Sequence, residues 1–189
     1  MQIRNAHLLA PLSLLLFATL VQAEQGSELQ PKLSQLDSVV LDESFSSGKL
    51  GKNWVANKGD WEIKEGVLVG REKEEDKHAA VLTLKHPHRN SIIRFSFQLA
   101  GAKGFNLSFN HAKGHLFRVT VAKTGLPLIK DKNKKAPSSK ATALAKASGT
   151  FDSGQWHTLL VETHGDKVSV QCDNGAKLSI QESTLNIDK

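Results

Sequence analysis

Residues Trp61 to Gly70 run W-E-I-K-E-G-V-L-V-G. Two extended stretches flank Glu65-Gly66, and a two-residue turn signal of this kind closes a tight β-hairpin. The aromatic and aliphatic residues of the segment are placed to face a core. A chain that opens on such a hairpin is building antiparallel sheet, and the rest of the sequence must supply the partners.

It does so in short extended runs separated by turn residues. The pattern predicts strands over Val39–Phe45, Trp61–Ile63, Val67–Gly70, Ala80–Leu84, Ser91–Leu99, Phe105–Asn110, Leu116–Ala122, Trp156–Thr163 and Val168–Asp173, with a weak one over Lys177–Ile180. Asn174-Gly175 is a strong two-residue hairpin signal. Only Ala141–Ala147 is helix-prone, for at most a turn or two. Strands at this spacing point to an all-β sandwich or barrel.

Alternation assigns the faces. Side chains along a strand point to opposite sides with a period of two. Ile93, Phe95, Phe97 and Leu99 take one side, and Arg94, Ser96 and Gln98 the other. Phe105, Leu107 and Phe109 oppose Asn106, Ser108 and Asn110, while Phe117, Val119 and Val121 oppose Arg118 and Thr120. These consecutive strands are expected to present their polar residues together. Planar amides, hydroxyls and guanidinium groups hydrogen-bond sugar hydroxyls in pairs. An ordinary solvated sheet face, usually richer in Lys, Glu and Thr, is the competing explanation.

Met1 to Ala23 has a basic start at Arg4, an apolar stretch and a Val21-Gln22-Ala23 cleavage signal, the pattern of a secretory signal peptide. Its apolar part is short and broken by Pro11, so no membrane span is expected. Polar residues 24–38 read as a flexible linker and 39–189 as one domain, in a secreted or periplasmic protein. Cys172 is the sole cysteine. That excludes an internal disulfide and a lipoprotein-type cysteine at the cleavage site. Val168, Val170 and Cys172 share a strand face, which suits a small buried hydrophobe.

The formal net charge is +6, and the stretch from Lys123 to Lys146 holds seven lysines against the single acid Asp131. A basic loop of this kind, within an insertion over 123–148, either keeps the surface soluble or holds an acidic polysaccharide. Nucleic acid is not an expected partner, because readout needs arginines and aromatics interleaved with the lysines.

Phe45 through Trp54, the Trp61–Gly70 decapeptide and S-I-I-R-F-S-F-Q-L resemble the 3-keto-disaccharide hydrolase domain family, a branch of the concanavalin A-like lectin/glucanase superfamily. G-H-L-F-R-V-T-V (Gly114–Val121), L-I-K-D-K-N-K-K (Leu128–Lys135) and G-Q-W-H-T-L-L-V-E-T-H-G-D (Gly154–Asp166) continue the likeness from about Leu41 to the C-terminus. The resemblance implies a concanavalin A-like jelly-roll β-sandwich of two antiparallel sheets. It further implies hydrolysis of glycosidic bonds in 3-keto disaccharides or glycosides. Two departures stand out. The family's Asn-Ser-Gly motif is replaced by Phe105-Asn106-Leu107-Ser108, and the pattern calls for further strands beyond Lys189, so truncation or an open sheet edge is expected.

The E-x-D-x-x-E carboxylate arrangement of related glucanases does not occur. Elimination beside a ketone instead needs a base and an oxyanion stabiliser. His111 and His115 are the candidate catalytic bases, since imidazole titrates near neutral pH. Arg94, Gln98, Asn106, Asn110 and Arg118 are the candidate substrate-binding residues, the arginines also steadying an enolate. Glu162 and Asp166 form a weaker carboxylate candidate. Neither His86-Pro87-His88 nor His111 and His115 shows structural zinc spacing, so no metal and no cofactor is expected. Trp54, Trp61 and Trp156 can stack on sugars or fill core positions. The alternative to a hydrolase is a non-catalytic carbohydrate-binding or extracellular-matrix interaction module.

Overall fold

A computed structural model of the chain describes residues 29–132 and 138–189. The export signal at 1–23, the linker residues 24–28, and Lys134 and Lys135 lie outside the described residues. The described chain is all-β. Its strands are β1 (Trp54–Lys58), β2 (Asp60–Lys64), β3 (Val67–Arg71), β4 (Val81–Leu84), β5 (Ser91–Gln98) and β6 (Gly104–His111). They continue with β7 (Gly114–Ala122), β8 (Gly125–Lys130), β9 (Thr142–Ser148), β10 (Trp156–His164), β11 (Lys167–Cys172) and β12 (Lys177–Gln181). A front sheet has the order β12-β11-β10-β5, a back sheet the order β6-β7-β8-β9, and β1-β4 and β2-β3 are separate two-stranded ladders. All these strand pairings are antiparallel.

The core lies between front and back sheets. Phe97, Leu159, Val161, Val168 and Val170 from the front meet Phe109, Phe117, Val119, Val121, Leu126 and Leu128 from the back. Phe97 stands edge-on to Phe105 at 5.0 Å, and Phe109 stacks on Phe117 at 4.4 Å. Each fully buried aliphatic or aromatic side chain contributes about 1.5–3 kcal/mol. Facing oily sides and outward polar sides are the expected consequence of period-two alternation in a sandwich.

The opening decapeptide forms the hairpin β2-β3. Glu65 and Gly66 both adopt positive φ, +50° and +74°, the backbone of a type I′ turn. Gly70 is required opposite Trp61: a Cβ there would meet the indole at 2.5 Å. The hairpin stays half-buried and contributes nothing to the main core cluster, contrary to expectation.

Four local expectations are corrected. Val39–Phe45 is not a strand. The Glu43 carboxylate and the Ser44 hydroxyl accept hydrogen bonds from the nearby backbone N–H groups of Phe45 and Ser46, and Phe45 turns to φ +54°. Ala141–Ala147 is not helical but lies within β9, where the ladder to β8 outweighs a weak local preference. The lysine-rich stretch is therefore no simple insertion, since β8 buries Leu126 and Leu128 completely. Asp173, Asn174 and Gly175 make a longer connection than a two-residue turn, with the Cys172 N–H donating to the Ala176 carbonyl at 2.8 Å.

The expected linker also departs from a free chain. Between Gln30 and Ser34 it crosses the outer face of the front sheet. Both Glu162 carboxylate oxygens accept backbone N–H bonds, from Lys32 at 2.8 Å and Leu33 at 2.9 Å. Ser34 bonds His164 at 3.0 Å, and the Gln171 amide donates to the Gln30 carbonyl at 2.8 Å. Leu160 and Glu162, which point outward by alternation, are buried beneath this strap.

Candidate functional site

The polar residues expected on one surface divide between the two sheets. β5 pairs with β10, and β6 with β7, so Arg94, Ser96 and Gln98 lie on the outer front. Asn106, Ser108, Asn110, Arg118 and Thr120 lie on the outer back. The sandwich core separates them, and the single eight-residue groove expected from the strands does not form. Alternation sets the face of each strand as expected, but sequence neighbours β5 and β6 belong to opposite layers.

On the back sheet the polar groups satisfy one another. The Thr120 hydroxyl donates to the Asn106 side-chain amide oxygen at 2.6 Å, His115 Nδ1 bonds Asn110 Oδ1 at 2.6 Å, and Arg118 is ion-paired with Asp131. Arg118 has thus a carboxylate partner that a substrate would have to displace. His111 and His115 occupy successive register positions, opposite Gly114 and Asn110 respectively, and so point to opposite faces of the β6-β7 hairpin. That hairpin turn is at the far end of the sandwich from Gln98. The candidate bases and the front-sheet candidates do not converge.

The front sheet is divided by the strap. Under it lie Leu160 and Glu162; beyond it Ser96 and Trp156 are exposed. Gln98 is opposite Trp156, Ser96 opposite Thr158, and Arg94 opposite Leu160. Trp156 is 51% exposed, the large aromatic of the described residues that stands most open to solvent. Its outward position follows from strand parity, since His157, Leu159 and Val161 take the core side. The Gln98 amide donates to the Gly154 carbonyl at 2.6 Å, which orients its own carbonyl oxygen as the free acceptor. The Ser96 and Thr158 hydroxyls lie 3.2 Å apart. An indole face beside an oriented amide and paired hydroxyls can stack on a sugar ring and bond its hydroxyls. Sequence reasoning named Gln98 and Arg94 but not Trp156 as a site residue, because a Trp-His pair at a strand start fits a core position equally well.

The weaker candidates resolve differently. Glu162 is fully buried and holds the strap, while Asp166 accepts from the Gln181 amide at 2.8 Å; they make no carboxylate pair. His88 packs against Phe109 at 6.0 Å and exchanges backbone bonds with Lys189. Cys172 is buried, as expected. Burial pushes its thiol up from 9.0 to about 11; the Asn174 N–H opposes the shift and the Asp173 charge adds to it.

That shift has a testable sign. The unfolded thiol loses its proton first, so stability is unaffected below about pH 9 and falls as pH rises towards 11. Relative to a Cys172→Ser variant, the wild type is expected to lose on the order of 1–2 kcal/mol across that window. Paired urea melts at the two pH limits measure it; parallel curves for the two proteins would refute it.

No family model matches the chain, and no curated protein matches it. Among solved structures it is similar to the carbohydrate-binding module CBM66 from Bacillus subtilis, with a TM-score of 0.55 and 15% sequence identity over 72% of this chain and 83% of the other. At that identity the likeness is one of fold, and it establishes a β-sandwich of the kind a carbohydrate-binding module uses. The hydrolase family suggested by the motifs is not matched.

Proposed function

We propose that the protein is a non-catalytic carbohydrate-binding module. The carrying observation is Trp156, 51% exposed on the outer face of the front sheet and paired in register with Gln98. Exposing an indole costs burial energy that the core offers elsewhere, and stacking on the apolar face of a sugar recovers it. Ser96, Thr158 and Arg94 extend the polar row that would read hydroxyls. The fold likeness to a carbohydrate-binding module supports the same conclusion. The dispersed histidines favour binding over hydrolysis: a base and an oxyanion donor must address one substrate atom. The N-terminal export pattern makes an extracytoplasmic glycan the natural partner.

The test is incubation with a panel of ordinary and 3-keto disaccharides, alongside immobilised glycans. Saturable binding without released monosaccharide is expected. Time-dependent release that disappears in a His111→Ala, His115→Ala double variant would overturn the proposal in favour of a hydrolase. A salt series separates the lysines' contribution, because bonds to exposed charges weaken as screening rises.

A further inference from the structure

At the strand end beneath Trp156, three chemically distinct side chains meet. His157 Nδ1 is 3.1 Å from Asp173 Oδ1, Cys172 Sγ is 3.5 Å from the same oxygen, and all three ligand-type atoms lie within 4.8 Å of one another. His157 is 4% exposed and Cys172 3%, while the Asp173 side chain is 37% exposed and opens the cluster to solvent. We propose that His157, Cys172 and Asp173 form a binding site for a thiophilic divalent metal of the zinc type, with water as the fourth ligand.

Spacing is the first reason. A tetrahedral zinc with nitrogen and oxygen at about 2.0 Å and sulfur at about 2.3 Å holds its ligand atoms about 3.3–3.6 Å apart. Of the two distances to Asp173 Oδ1, 3.5 Å falls inside that range and 3.1 Å about 0.2 Å below it, and all three atoms lie within 4.8 Å, so side-chain rotations suffice to bring them to coordinating positions. Charge is the second. A thiolate and a carboxylate neutralise a dication, which suits a site walled by Phe97 and Phe151, whose rings lie 5.7 and 5.1 Å from the imidazole. Chemistry is the third: sulfur with imidazole selects zinc-like ions over calcium or magnesium, which prefer all-oxygen shells. The carboxylate is already oriented from outside, because Asp173 Oδ2 accepts the Thr158 N–H at 2.6 Å.

Proton balance follows. Without a metal, the S–H donates to Asp173 Oδ1, a neutral imidazole protonated at Nδ1 donates to the same carboxylate oxygen, and His157 Nε2 is buried with no partner among the described residues. On metal binding the imidazole keeps one proton, moved to Nε2, where it faces the aromatic walls. The thiol proton leaves for solvent. One proton is therefore released for each ion bound, and affinity rises about tenfold per pH unit below the thiol pKa.

The proposal does not depend on carbohydrate binding. The experiment is titration of chelator-stripped protein with Co2+, read by absorbance, with Zn2+ as competitor. A one-to-one thiolate-to-cobalt charge-transfer band is expected, displaced by Zn2+, accompanied by one released proton in weakly buffered solution. Cys172→Ser should abolish the band with circular dichroism unchanged, and Asp173→Asn should weaken affinity at least ~10-fold. A missing band in the wild type, or a band that survives Cys172→Ser, would overturn it and leave the three residues as a hydrogen-bonded pin.

Discussion

Replacing Trp156 by alanine is expected to weaken glycan binding at least tenfold, roughly 1.5–3 kcal/mol, with little effect on folding. The side chain is half open to solvent, so its removal leaves no cavity, and exposed substitutions usually stay within about 0.5 kcal/mol of wild-type stability. Trp156→Phe should retain part of the affinity, because a smaller ring still offers a face. Gln98→Ala should cost less than Trp156→Ala, since it removes one oriented acceptor. The back sheet supplies the control. Asn106→Ala and Arg118→Ala break contacts that the protein makes with itself, at Thr120 and Asp131, on the other side of the sandwich. Calorimetry on the four alanine variants separates the faces. If Asn106→Ala abolishes binding and Trp156→Ala does not, the ligand lies on the back sheet.

Glu162→Ala is expected to destabilise the fold by roughly 2–4 kcal/mol. The residue is fully buried, and its carboxylate accepts two backbone N–H bonds from the strap. Hydrogen bonds to a charged group are worth about 1.5–3 kcal/mol each, and donors left buried without a partner carry their own desolvation cost. The loss is capped because the strap can lift and hydrate its N–H groups. Glu162→Gln keeps one acceptor oxygen and should cost about half as much as alanine. Urea midpoints measure the stability. Limited proteolysis measures the strap, with cleavage between residues 29 and 41 expected to accelerate in Glu162→Ala. An alanine variant as stable and as protease-resistant as wild type would show that the carboxylate does not hold the segment.

Strand existence and facing were legible because burial on one side imposes period two. Ile93 through Leu99 and Phe105 through Phe109 point as their alternation requires. The Glu65-Gly66 turn was legible because positive φ at two successive positions restricts the choice of residue. Less legible were β8 and β9. Their residues form strands because β7 offers an edge, which no local pattern announces. The sequence offers Glu162 as a weak carboxylate candidate beside Asp166, and nothing nearby in sequence signals that the Lys32 and Leu33 N–H groups reach it across the fold.

Local alternation, turn chemistry and the lone cysteine were enough to specify an all-β sandwich standing on packing without an internal disulfide. Layer assignment was not available from them, because alternation sets the side of a strand and not the sheet that receives it. That assignment sends Arg94 and Gln98 to one surface and Asn106, Asn110 and Arg118 to the opposite one. The same long-range pairing leaves Trp156 uncovered, lays residues 30–34 over Glu162, and brings His157 to Cys172 and Asp173 across a hairpin. Each is a contact between chain segments whose approach depends on the packing of the whole, and no residue pattern within either segment encodes it.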